Sequence, residues 1–183
     1  MRITGGSLSG RVLKTPKTSA IRPMRDAVRM AMFNMLMDFV PACRFLDLFA
    51  GTGGVGIEAL SRGASHATFV DQLPEALNIL KNNLQSLQLE DVSQVIAGDV
   101  FDVLNHLDGH FDLIFVGPPY YHDLAHQTLQ ALSETSLLKE DGVIIAEVFH
   151  KESMREAYGN LTQIQRRLYG DNLLVFYQWQ EGD

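Results

Sequence analysis

A single cysteine, Cys43, stands among the 183 residues. No intramolecular disulfide framework and no cysteine-based zinc site can be built from it. Its apolar neighbours Val40, Phe45 and Leu46 predict a buried thiol. No apolar run approaches the roughly 18 residues that cross a bilayer. The start MRITGGSLSGR lacks the apolar stretch of a secretion signal, so a cytoplasmic setting is expected. The six histidines offer no metal-ligand spacing beyond the i, i+4 pair His122 and His126, and no metal is expected. Repeats and low-complexity tracts are missing too. With 46% apolar and 20% charged residues the chain can bury a core and is not a disordered polyelectrolyte. Its length fits one domain of the usual ~100–200 residues.

Charge is unevenly placed. Residues 1–30 hold seven Lys/Arg against the single Asp26, a net +6, while the remainder holds eight against 21 acids, a net −13. A basic arm on an acidic body would orient a polyanion on one face. Arg2, Arg11, Lys14, Arg22, Arg25 and Arg29 are the candidate phosphate ligands. An exposed arm kept in solution by its charges is the plainer alternative. Residues 1–15 read as a short hairpin around the turn-rich GGSLSG, and 16–23 as a linker with proline at both ends. The arm and linker (1–23) are thus set apart from a main domain (24–183).

From Asp26 to Phe39 the apolar positions Val28, Met32, Met35, Leu36 and Phe39 recur at helical spacing, with Met30 and Met37 beside them. Five apolar runs follow: RFLDLFA (44–50), HATFVD (66–71), VSQVIAGD (92–99), FDLIFVG (111–117) and GVIIAEVF (142–149). They are short, rich in β-branched and aromatic residues, and lack polar alternation, as strands buried on both faces do. Helical segments are expected at 54–62, 74–87, 100–107 and 124–135. This alternation implies right-handed βαβ crossovers in a three-layer α/β sandwich. Residues 161–179 read instead as an antiparallel hairpin turning at Tyr169-Gly170-Asp171-Asn172, on the sheet edge.

The first run leads into Asp47-Leu48-Phe49-Ala50-Gly51-Thr52-Gly53-Gly54-Val55-Gly56. Gly51, Gly53 and Gly56 fit G-x-G-x-x-G between a strand and a helix, where bare backbone can meet a ligand. Asp71 ends the second run, 20 residues after Gly51, where a carboxylate can accept both ribose hydroxyls. A dinucleotide would use the helix N-terminus for its pyrophosphate. S-adenosylmethionine carries a sulfonium cation instead, and Asp47 offers it a carboxylate. Asp99, after the third run, can meet an adenine amino group or cap the following helix. The cofactor-binding candidates are therefore Asp47, Phe49, Ala50, Gly51, Gly53, Gly56, Asp71 and Asp99. After the fourth run comes Gly117-Pro118-Pro119-Tyr120, a stiff loop able to present carbonyl acceptors to an exocyclic amine and a ring to a flat base. A rigid loop with a buried tyrosine is the alternative.

These residues carry a resemblance. The stretch 47–53, followed by Glu58-Ala59-Leu60-Ser61-Arg62-Gly63-Ala64, resembles the first motif of RsmD-type 16S ribosomal RNA guanine-N2 methyltransferases. The start Met1 to Gly6 with Gly10-Arg11, the segment Arg22-Pro23 to Phe33-Asn34, and the ending Tyr169-Gly170 to Tyr177 are similar too. The resemblance implies a class I methyltransferase (Rossmann-like) fold with a seven-stranded, mostly parallel sheet and an N-terminal β-hairpin that grips RNA. It implies S-adenosylmethionine as methyl donor, the exocyclic N2 of a guanine in 16S RNA or the small ribosomal subunit as acceptor, and Gly117, Pro118, Pro119 and Tyr120 as the catalytic loop. Where that family normally has Asp-Pro-Pro-Tyr, this chain has Gly117. An acid there would accept a hydrogen bond from the target amine, and glycine cannot. Met24 and Met30 also depart from the family's usual Thr and Glu. Three other functions are weighed: a non-catalytic RNA-binding or ribosome-assembly module, which Gly117 keeps open, an NAD-type oxidoreductase, and methylation of a protein side chain. The second leaves the Pro-Pro-Tyr loop and basic arm unexplained, and the third does not match the arm's charge.

Overall fold

A computed structural model describes residues 1–16 and 24–180. Eight strands form one sheet: β1 (Arg44–Leu48), β2 (His66–Asp71), β3 (Ser93–Ala97), β4 (Phe111–Val116), β5 (Leu138–Phe149), β6 (Ala157–Tyr158), β7 (Leu161–Tyr169) and β8 (Asn172–Trp179). Their order is β3-β2-β1-β4-β5-β8-β7-β6. Strands β1 to β5 pair in parallel, and β8 is antiparallel to both β5 and β7. The hairpin expected at 161–179 is present, with β8 inserted beside β5. The sheet exceeds the expected seven strands by β6, a two-residue strip on the edge of β7.

The helices are α1 (Asp26–Met35), α2 (Gly54–Ser61), α3 (Pro74–Leu87), α4 (Val100–Leu104) and α5 (Leu124–Ser133). Successive strand residues feed opposite cores. Phe45, Leu113, Phe115 and Ile145 pack with α1, α2 and α3, whereas Leu46, Ile114, Val116 and Ile144 pack with α4 and α5. Both faces are therefore covered, which is why the strands read as unbroken apolar runs. Helix α1 stops at Met35, short of the expected Phe39, and leaves Met37 and Phe39 exposed. Strand β5 starts four residues early, at Leu138, which pairs with Phe111 across an irregularity. Cys43 is buried, and burial pushes its thiol up to about 12.

The N-terminal segment differs most from expectation. Its hairpin is one antiparallel bridge, Arg2 with Val12, extended by the bonds Ile3 N to Arg11 O and Leu13 N to Met1 O. It is docked on the body: Ile3 and Leu13 belong to the same core as α1 to α3. Thr4 donates to Glu58, Ser7 N donates to the Ser61 carbonyl, and Lys14 N donates to Asn83 Oδ1. Gly6, at φ +78°, lies so close to Ser61 that a Cβ would sit 1.8 Å from its carbonyl oxygen. Gly5 and Gly6 thus serve its contact with the end of α2, whereas Gly10 faces open space. The expected linker, with Lys17 and Arg22, falls outside the described residues. Among the described residues no helix is long and apolar enough to cross a membrane.

Candidate active site at the C-terminal rim of the sheet

The chain runs outward from β1 to β2 to β3, then returns to lay β4 on the other side of β1. Crevices open where strand order reverses in this way, at the carboxyl ends of the strands. A cavity of about 430 Å³ lies there, lined by residues at and after the ends of β1, β2, β3 and β4, by Glu147 of β5, and by Met1, Met24 and Arg29 from the N-terminal side.

One half is built around the glycine loop. Asp47, 1% exposed, accepts a bond from Gly56 N at 2.8 Å. Burial pushes its carboxyl up to about 7; the Gly56 amide opposes the rise and the Asp71 charge adds to it. Asp71 accepts from Gly51 N at 2.7 Å and from Leu73 N at 2.9 Å, so it clamps the loop with both oxygens and keeps further lone pairs for a hydroxyl. Asp47, Phe49, Ala50, Gly51 and Asp71 all line the cavity, as do Leu73, Gly98 and Val100. Gly53 and Gly56 do not. A Cβ on Gly53 would lie 2.3 Å from Leu80, and one on Gly56 2.3 Å from the Phe69 ring. These two glycines let the loop and α2 pack against α3 and β2. Asp99 caps α4, accepting from Phe101 N at 2.9 Å, and faces a neighbouring depression beside β3.

The other half is the loop after β4. Gly117, Pro118, Pro119 and Tyr120 line the same cavity. Tyr120 donates to Glu147 Oε1 at 3.2 Å, and Asn172 Nδ2 donates to the Tyr120 hydroxyl at 2.7 Å and also to Glu147. Exposed Tyr121, held at φ +68°, packs its ring at a tilt against Phe149, with 5.1 Å between ring centroids. At Gly117 a Cβ would meet the Phe115 ring at 2.6 Å, so the phenyl group occupies part of the space that a side chain there would use.

The basic candidates divide. Arg2, Arg11, Lys14 and Arg25 are exposed. Arg29 is not: its guanidinium is 0% exposed and bonds to Glu58, Asp26 and the main-chain carbonyls of Met24 and Arg2. As a phosphate ligand it is a correction, since an arginine this enclosed, with its fork already paired, fastens the N-terminal segment to α1 and α2. Sequence reasoning missed Glu147, Asn172 and Phe115. The signal for Glu147 was present as the single acid inside the run GVIIAEVF. Among the described residues no cluster of His, Cys, Asp or Glu could hold a metal ion; His126 bonds to the Tyr158 hydroxyl instead.

A parallel β3-β2-β1-β4-β5 sheet closed by an antiparallel hairpin, with an acid-flanked glycine loop at the reversal point, is the class I methyltransferase architecture. Within that class the chain belongs to the family called Conserved hypothetical protein 95, whose pattern matches residues 1–178. It is 37% identical over 150 residues to the Haemophilus influenzae "Ribosomal RNA small subunit methyltransferase D", spanning 80% of this chain and 78% of that one. It is 29% identical over 178 residues to the Escherichia coli protein of the same name, spanning 97% and 89%. A solved Escherichia coli structure named "Putative methyltransferase yhhF" superposes with a TM-score of 0.88 at 28% identity, covering 100% of this chain and 99% of that one.

Proposed function

We propose that this chain is an S-adenosylmethionine-dependent methyltransferase that modifies the exocyclic N2 of a guanine in the 16S RNA of the small ribosomal subunit. The observation that carries the reading is the division of one cavity into two chemically distinct halves. The loop half suits the donor: Asp47 faces a cation, Asp71 can accept ribose hydroxyls, and Leu73 and Val100 offer apolar surface to a flat base. When bound, the donor supplies a methyl group activated by its positive sulfur. The residues of the chain then position, since a nucleophile held at ~3–3.5 Å in line with an activated carbon needs little further assistance.

The Pro118–Tyr120 half suits the acceptor. Two prolines hold the loop carbonyls in place, and the Tyr120 ring is steadied through its hydroxyl by Glu147 and Asn172. Exposed Arg2, Arg11, Lys14 and Arg25 would meet RNA phosphates, and Tyr121 a base. The names of the relatives support ribosomal RNA as the substrate class, which in turn favours a cytoplasmic site of action. A non-catalytic RNA-binding role draws support from Gly117 alone.

The test is to incubate the protein with labelled S-adenosylmethionine and small subunits lacking the modification, then map the modified nucleotide. A single N2-methylguanine is expected. Labelled RNA with the methyl elsewhere would reassign the acceptor. Binding of donor and RNA without transfer would favour the non-catalytic module, and calorimetry showing no heat with the donor or its demethylated product would end the proposal.

A further inference from the structure

Gly117 leaves the catalytic loop without its own acid, yet a carboxylate stands beside it. Val116 of β4 and Ala146 of β5 are register partners, so the next residues along these parallel strands, Gly117 and Glu147, are neighbours. Residues paired in this way project to the same face of the sheet. Phe115 and Ile145, two positions earlier, share one core and mark that face. Three carboxylates line the cavity among the described residues: Asp47, Asp71 and Glu147. The first two are bonded to glycine-loop amides. Glu147, 7% exposed, is bonded to Tyr120 and Asn172 at the acceptor end.

Building on the methyltransferase reading, we infer that Glu147 is the catalytic carboxylate of the acceptor half, taking from the neighbouring strand the role that a side chain at 117 would otherwise fill. It accepts a hydrogen bond from the exocyclic amine, which turns the nitrogen lone pair out of conjugation with the ring and toward the methyl carbon. As the N–C bond forms, the C–S bond breaks and its electron pair stays on sulfur. The proton that the nitrogen must lose passes to the Glu147 carboxylate and from there to water. Tyr120 and Asn172 set the carboxylate's orientation. Phe115, filling the space beside Gly117, is part of the same arrangement.

Glu147→Gln separates this role from a structural one, because the amide keeps the side chain's volume and an oxygen for the Tyr120 hydroxyl but loses the charge and the basicity. Single-turnover transfer to the small subunit is expected to fall at least 30-fold, with calorimetric affinity for the demethylated donor within threefold of wild type. Glu147→Asp, still charged, should transfer at least tenfold faster than the Gln variant. A second readout needs no turnover. RNA carrying hypoxanthine at the mapped guanine lacks the amine, so wild-type protein should bind it at least tenfold more weakly, and Glu147→Leu should lose most of that discrimination. Transfer by the Gln variant within threefold of wild type, an Asp variant no faster than the Gln one, or discrimination unchanged in the Leu variant overturns the inference while leaving the methyltransferase standing. Failure of the wild-type protein to transfer at all would remove both.

Discussion

Burial pushes the Asp47 carboxyl up to about 7, the Gly56 amide pulling the other way and the Asp71 charge reinforcing the rise. In the unfolded chain an aspartate titrates near ~4. Between these values the folded protein holds the extra proton, so raising the pH through this window costs stability. Asp47→Asn keeps an oxygen for Gly56 and removes the penalty. In urea titrations without cofactor, the stability of the Asn variant relative to wild type should increase from pH 5 to pH 8 by at least about 1 kcal/mol. An unchanged difference would mean that Asp47 is ionised throughout. A bound cation should reverse the preference, making donor affinity rise with pH through about 7 in wild type and stay flat in the variant. Legibility at this scale is mixed. Asp47 stood out because one turn separates it from Gly51, and Asp71 because one helix and one strand, α2 and β2, fix its distance from that glycine. Arg29 was misplaced because composition cannot tell a basic residue in solvent from one paired with a glutamate 29 positions on.

Helix α2 is held to α1 and to the N-terminal segment by a buried ionic cluster. Glu58, itself 0% exposed, accepts from Arg29 Nε at 3.1 Å, Arg62 Nε at 2.9 Å and the amide and hydroxyl of Thr4. Burial favours its neutral form, but the bonds from Thr4, Arg62 and Arg29 outweigh that and hold its carboxyl below the usual range. Its contribution is therefore complete above the unfolded value and disappears as pH falls through the folded one. Breaking such a pair leaves a buried charge uncompensated. Arg29→Met should destabilise the protein by about 3 kcal/mol, whereas Arg29→Met with Glu58→Leu should recover much of the loss. Chemical denaturation of the two variants checks this; equal losses would show that hydrogen bonds to the segment, rather than the charges, dominate. The strands and helices themselves were readable because two covered faces and strand–helix alternation write a plain pattern. The docking of residues 1–16 was not, since glycines and polar groups that pack on α2 look, in one dimension, like an exposed turn.

Across the whole molecule, the acidic body and the basic N-terminal region make a field that favours a polyanion on one side. With Arg29 enclosed, the surface charge of that region rests, among the described residues, on Arg2, Arg11, Lys14 and Arg25, and on the same face of the sheet β7 adds exposed Arg167, the register partner of Leu174. If these residues meet phosphates, the combined change Arg11→Ala, Lys14→Ala and Arg25→Ala should weaken RNA binding whatever the sequence. It should reduce the slope of log affinity against log salt by roughly two, at ~0.7–0.9 for each phosphate no longer neutralised. Affinity measured across a salt series would show it, and an unchanged slope would move the RNA surface elsewhere.

By itself the sequence determined the layered α/β architecture and the acid-flanked glycine loop, because each is set by local periodicity within one strand–loop–helix–strand unit, whereas the strand order that puts the reversal beside β1 came only with the tertiary structure. Tertiary structure alone decided that the basic segment is a docked part of the core, that Arg29 is interior, and that Glu147 stands beside Gly117. Those relations join residues as many as 69 positions apart, and strand register and packing, which no local pattern encodes, bring them together.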